Sequence, residues 1–279
     1  MFAGASRIDV TELDLSETGQ GHSGEEQAVG YLLRVREATA PTRTADPFTS
    51  QLHLIMTGFE GPLPPKTGDG SAATAQSLKA GIAPSHASLT ELGAIGLGAV
   101  FFTHLHRQQL ASLGDFREPV ECLVGHAERP AGSLRFLYSN PLPFAARIQE
   151  LSFEKAQELA PLGPCMDILG DGSLWAISTP GHTIGSVSYL VMDAKGPILV
   201  AGLLATGLRG PRSAANCGRH RELGRFSLQR LHEFLDLHPS VRLAPSLTGL
   251  IPAAPRTESG AGVASGSVDD DEFVGGRFE

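Results

Sequence analysis

Thr103-His104-Leu105-His106 closes the apolar run Leu97 to Phe102, and Thr179-Pro180-Gly181-His182-Thr183-Ile184-Gly185-Ser186 answers it later in the chain. A short, wholly apolar run bounded by polar residues reads as a strand buried on both faces. Two imidazoles two residues apart at the end of such a strand can point the same way and share one metal ion. His182 sits between Pro180-Gly181 and Gly185, a tight turn between two strand-like segments. Three imidazoles from two strand ends suit a zinc site with a fourth position open to water. The remaining histidines, among them His22, His53, His86, His232 and His238, lack such a setting and read as surface or satisfied core residues.

Around these two stretches the chain alternates short elements and turns. Arg7 to Leu15, Tyr31 to Val35 and Gln51 to Met56 read as strands, the first of them at an edge. Ser88 followed by Glu91 has the capping-box shape of a helix start. Pro119 to Gly125 is a further strand, Leu134 to Leu151 carries mixed signals, and Phe153 to Leu159 suggests one or two helical turns. Asp167 to Ser178 reads as a hairpin about Gly170-Asp171-Gly172. Ser186 to Met192 and Pro197 to Gly202 are strands, Ser227 to Leu237 has apolar residues at helical spacing, and Val241 to Ala244 is a last strand. The pattern fits a layered α/β body with helices outside and sheets inside.

The chain has 279 residues, long enough for one large domain, and its 33 glycines and 19 prolines announce many turns. The net charge of −8 argues against a nucleic-acid partner. From Pro252 onward six acids stand against two bases, so this end holds −4, half the total. We expect one domain over 1–252, with a mobile loop at about 59–82, and a disordered acidic tail over 253–279. Cys122, Cys165 and Cys217 are an odd set without CxxC spacing, which points to small buried thiols, a reducing setting and a cytoplasmic location. No basic-then-apolar leader and no long apolar span is evident, so no membrane partner is expected. Phosphate-binding GxxxxGK[ST], dinucleotide fingerprints and a GxSxG nucleophile elbow are absent.

With these residues in hand, the chain resembles the metallo-β-lactamase-fold hydrolases, and within them a lactonase-like branch. Their THxHxDH motif is similar to Thr103-His104-Leu105-His106-Arg107-Gln108-Gln109, and their PGHTxGS motif is present in full at Pro180 to Ser186. Gly170 to Ile177, Ser188 to Val191 and Ser227 to Pro239 add to the likeness, which runs from about Tyr31 to Thr248. The resemblance implies a four-layer αβ/βα sandwich and a first metal position on His104, His106 and His182. It also implies losses. The second-metal Asp and His are Gln108 and Gln109, the bridging Asp is Leu203 in Ala201-Gly202-Leu203, and the last His position falls at Leu247. The early Asp-Thr-Gly reads Met56-Thr57-Gly58. Glutamine is a poor zinc ligand and leucine is none. The expectation is therefore at most one zinc ion, no second metal, and no evident carboxylate beside the histidines, although Asp115 and Glu121 are nearby in sequence. Arg107 is a candidate to fill the vacated second position with positive charge, and His220, in the loop Cys217 to Arg221, a candidate pocket residue. The function expected is a non-catalytic homologue that binds a small-molecule ligand or a protein partner; the alternative is a mono-zinc hydrolase of a lactone, ester or thioester. The resemblance admits an oligomer, although no stretch identifies an interface.

Overall fold

The computed structural model describes residues 8–14, 29–36, 52–57, 96–105, 120–128, 146–209 and 220–244. They build two six-stranded sheets. The first holds β1 (Ile8–Asp14), β2 (Val29–Val35), β3 (Leu52–Met56), β4 (Ala99–Phe102), β5 (Val120–Gly125) and β6 (Ala146–Leu151), in that order across the sheet. β1, β2 and β3 pair antiparallel, and β3 through β6 pair in parallel. The second holds β7 (Gln157–Leu159), β8 (Gly163–Asp167), β9 (Leu174–Ser178), β10 (Val187–Val191), β11 (Ile198–Val200) and β12 (Arg242–Ala244), in order β12-β11-β10-β9-β8-β7. Its pairings are antiparallel except β11 with β12. Two helices belong to the described residues, α1 (Leu204–Arg209) and α2 (Arg221–Leu237).

The period of two along each strand divides the apolar residues between two cores. Tyr31, Ile55 and Phe101 of the first sheet meet Ala176, Tyr189 and Val200 of the second in the layer between the sheets. The Phe101 and Tyr189 rings lie 5.7 Å apart across it, in the tilted arrangement aromatic pairs prefer. The other face of the second sheet, with Ile177, Leu190 and Leu199, packs on Leu204 and Leu208 of α1 and on Leu228, Leu231 and Phe234 of α2. In β4 all four residues, Ala99-Val100-Phe101-Phe102, are buried. That explains an unbroken apolar run rather than an alternating one, as expected for a parallel strand covered on both faces.

Most of the expected strands are present within two residues. The differences have physical causes. β6 is a sheet edge whose polar side chains face outward: Gln149 donates to Glu121 at 2.9 Å and Arg147 lies 3.4 Å from it. Such a strand carries little hydrophobic signal, although its charges suit an edge. Phe153–Lys155 is a single 3-10 turn, and the segment expected to continue it is the edge strand β7. α2 begins six residues before Ser227, because its first turns leave Leu223 and Phe226 exposed and break the inward spacing. The helix start at Ser88 and Glu91, the loop at 59–82 and the tail lie outside the described residues.

Both described cysteines, Cys122 and Cys165, are buried and free, and burial pushes their thiols up to about 12. They therefore stay protonated and poor as nucleophiles at neutral pH. Cys217 lies outside the described residues.

Candidate metal centre

The two histidine stretches meet at one end of the sandwich. His104 follows β4 in the first sheet, His182 lies in the turn joining β9 to β10 in the second, and their rings stand 4.7 Å apart edge to face. The sheets are stitched together at this point. Val187 N–H donates to the Thr103 carbonyl at 2.7 Å, and the buried Tyr189 hydroxyl donates to the Phe102 carbonyl at 2.9 Å.

The hydrogen bonds around His104 bear on its tautomer. The Thr103 hydroxyl reaches the Thr57 carbonyl at 3.1 Å, a stronger acceptor position than Met56 O at 3.4 Å. A hydroxyl has one proton to give. With that proton committed to Thr57, Thr103 Oγ1 accepts from His104 Nδ1, 3.0 Å away. The imidazole then carries its proton on Nδ1 and a lone pair on Nε2, one of the two tautomers in which histidine can ligate a metal. Thr57 and His104 are both buried, so the arrangement is held away from competing water.

The His182 turn is built by its own small polar residues and by α2. Thr179 N–H donates to the Ser186 carbonyl at 3.0 Å, and Gly181 N–H to the Thr183 carbonyl at 2.9 Å. From α2, Ser227 Oγ donates to Pro180 O at 2.8 Å and Arg230 to Ser178 O at 2.7 Å. His220, the residue capping α2, donates through its backbone N–H to Gly181 O at 2.9 Å. His220 thus holds the turn by its main chain, while its side chain is exposed.

Gly202 lies close against Thr103. It has φ +55, a left-handed value that favours glycine, and a Cβ there would stand 2.8 Å from Thr103 Oγ1. Leu203 follows directly and is half-buried. The fold therefore brings Gly202 against Thr103, with Leu203 next in the chain. His106, Arg107, Gln108, Gln109 and Leu247 lie outside the described residues. Among the described residues no group of three or more His, Cys, Asp or Glu is placed to hold a metal. His104 and His182 bring two imidazoles together.

Sequence reasoning missed the carboxylate that is present. Glu128, just past β5, is only 4% exposed. Its Oε2 accepts from Leu105 N–H at 2.9 Å, its Oε1 accepts from the Thr183 hydroxyl, and the Gly185 N–H also reaches it. Glu121, by contrast, is engaged with β6. Glu128 stands in His126-Ala127-Glu128-Arg129, which has no motif character, so its place could not be read locally. The one available signal was its position at the end of a buried parallel strand next to β4.

Burial raises the Glu128 carboxyl above its ordinary 4.5, partly opposed by the hydrogen bonds from Thr183, Leu105 and Gly185. A carboxyl whose folded pKa lies above its unfolded one binds its proton more readily in the folded state. Its contribution to stability is complete below pH 4.5 and is lost as pH rises through the raised value. In thermal melts taken from pH 4.5 to neutrality, wild type should lose stability relative to Glu128→Gln, which has no such proton to release. Parallel curves for the two proteins would contradict this.

These elements form an α/β sandwich with His104 and His182 at one end of the strands, and its fold is of the metallo-β-lactamase type. Solved structures carry the assignment. A variant of AiiA from B. thuringiensis, with N-decanoyl-L-homoserine bound at its active site, superposes with TM-score 0.52 at 14% identity, over 87% of this chain and 94% of that one. A quorum-quenching N-acyl homoserine lactone lactonase gives TM-score 0.50 at 14% identity, over 88% and 93%. A probable metal-dependent hydrolase from Staphylococcus aureus gives 0.50 at 10% identity, over 87% and 90%. No protein-family model and no curated sequence matches the chain. Identities this low establish the fold and leave the activity to the site itself. No helix among the described residues is long and apolar enough to cross a membrane.

Proposed function

We propose that this chain is a metallo-β-lactamase-fold protein that has kept the first metal position and given up the second, and that it acts by binding a ligand or partner rather than by hydrolysis. The observation that carries this reading is Leu203. It follows Gly202, whose backbone presses on Thr103, in the place where the resemblance expects a carboxylate bridging two metals. A leucine there can neither ligate nor hold a water for attack. Gln108 and Gln109 in the sequence, where ligands of the second metal are expected, point the same way.

In this reading His104, His182 and His106 would hold zinc. When bound, the ion supplies Lewis acidity and lowers the pKa of a coordinated water. The chain's own residues fix the imidazoles: Thr103 sets the tautomer of His104, and α2 holds the His182 turn. Glu128 spends its oxygens on Leu105, Thr183 and Gly185 and so is not placed as a general base.

A second reading, a mono-zinc hydrolase of a lactone, ester or thioester, is favoured by the 4.7 Å approach of His104 and His182. Metal analysis of untagged protein tests both. We expect about one zinc per chain, lost in His182→Ala, as three-histidine sites bind one ion. Metal-free wild-type protein would defeat both readings. The zinc-loaded protein is then assayed on N-acyl homoserine lactones, aryl esters and thioesters. No turnover supports the binding reading, and turnover abolished by His106→Ala replaces it with the hydrolase.

A further inference from the structure

We propose that Glu128 is the positioning residue that sets the separation of His104 and His182, acting on both histidine loops at once without ligating the metal; the proposal rests on the metal reading above. Its two oxygens reach backbone and side-chain donors that are far apart in the chain, Leu105 at 23 residues and Thr183 at 55. Leu105 is the neighbour of His104, and Thr183 the neighbour of His182. One carboxylate therefore spans the gap between the two sheets at the residues next to the imidazoles.

The turn that carries Glu128 is built to bring it there. Glu128 N–H closes onto Gly125 O at 3.1 Å, with the exposed Ala127 held at φ 65, a left-handed conformation that is costly for a residue with a Cβ. The same turn lies backbone to backbone against the His182 turn. A Cβ on Gly125 would stand 1.8 Å from Gly185 O, and a Cβ on Gly185 would stand 2.4 Å from His126 O. The glycine of the Gly185-Ser186 pair is thus demanded by the seat of Glu128.

The donors also explain why a carboxylate is needed. The Leu105 N–H, the Gly185 N–H and the Thr183 O–H all point their protons at Glu128. Thr183 is itself oriented: Ser186 Oγ accepts from Thr183 N–H at 3.0 Å, and lies 2.7 Å from Thr183 Oγ1, to which it can donate. An ionised carboxylate offers acceptors only, whereas an amide turns one edge into a pair of donors. Glutamine fits the volume but sets donor against donor on one of the two loops.

The test is a cobalt(II) titration of the full-length, untagged, metal-free protein, read by the visible d–d bands that report ligand geometry. Wild type is compared with Glu128→Gln, Thr183→Val and the double variant. The proposal expects Glu128→Gln to weaken cobalt binding about 10- to 100-fold, the range seen when groups that orient ligands are removed. It also expects a changed d–d spectrum at saturation, a change that mere loss of fold stability does not produce. Thr183→Val should act in the same direction, and the double variant should be no weaker than Glu128→Gln alone, since both break one link. If Glu128→Gln fails to fold, Thr183→Val decides by the same two readouts. Wild-type affinity and spectrum in the variants overturn the positioning role and leave the metal reading standing. Absence of any d–d band in wild type overturns the metal reading and this role with it.

Discussion

Gly125→Ala is expected to lower the unfolding free energy by about 3 kcal/mol, at the upper end of what overpacking costs. The new Cβ would stand 1.8 Å from Gly185 O and 2.7 Å from Val187 Cγ2. The first neighbour is backbone, in a turn pinned to α2 through Pro180 and Gly181 and to the first sheet through Val187. Neither side can yield by rotating a side chain, so relief requires the two sheets to part at this end. Gly185→Ala meets His126 O at 2.4 Å and Glu128 N at 2.9 Å, also backbone, and is expected to cost nearly as much. The two substitutions press on one contact, so their costs should not add. Urea unfolding of both single variants and the double checks this. Losses below about 1 kcal/mol in either single variant would show that the turns do not touch.

Asp193→Ala is the second large effect, expected to cost about 3 kcal/mol, because it strips a buried ion pair of one member. Asp193 is 3% exposed and pairs with Arg242 on β12. It also accepts from Val10 N–H at 3.0 Å and from Lys195 N–H at 3.2 Å. Ala194 N–H donates to Ile8 O at 2.9 Å beside it. This one carboxylate therefore attaches β1, the edge of the first sheet, to the β10–β11 turn of the second. Alanine leaves the Val10 N–H without its acceptor and the half-buried guanidinium with its bond to Gly196 O but no carboxylate. Arg242→Met should cost less, since Asp193 keeps two backbone donors. The double variant should recover part of the loss, because no charge is then stranded. Equal urea midpoints for wild type and Asp193→Ala would refute the clasp. The effect belongs to the fold: cobalt binding by Asp193→Ala, measured while it is folded, should match wild type.

The two expectations concern opposite ends of the same problem, which is how two sheets are locked face to face. At the β1 edge the lock is ionic and indifferent to the site. At the histidine end it is steric and polar, and it is the site: the residues that close the sheets are the neighbours of the imidazoles.

What the chain's local patterns determined is considerable. β9 and β10 announce themselves by short runs of apolar residues, buried on both sides of the second sheet. β4 does so by an apolar run that only two-sided burial explains. The turn Pro180 to Ser186 is legible because its glycines and small hydroxyl residues satisfy one another over a few residues. His104 and His182 could be paired on these signals with no geometry at hand. The tertiary structure alone decided the rest. β6 and β7 are edges whose polar faces look like loop, and α2 starts before its inward face does. Glu128 has no local signature because its three donors come from Leu105, Thr183 and Gly185, on two separate turns. Gly125 and Gly185 are spaced for each other, not for their own strands. Local patterning records what each segment needs in order to bury its own apolar face. The contact of one turn with another, 60 residues on by these numbers, exists only once the sheets have closed, and that contact is what brings the two histidines together.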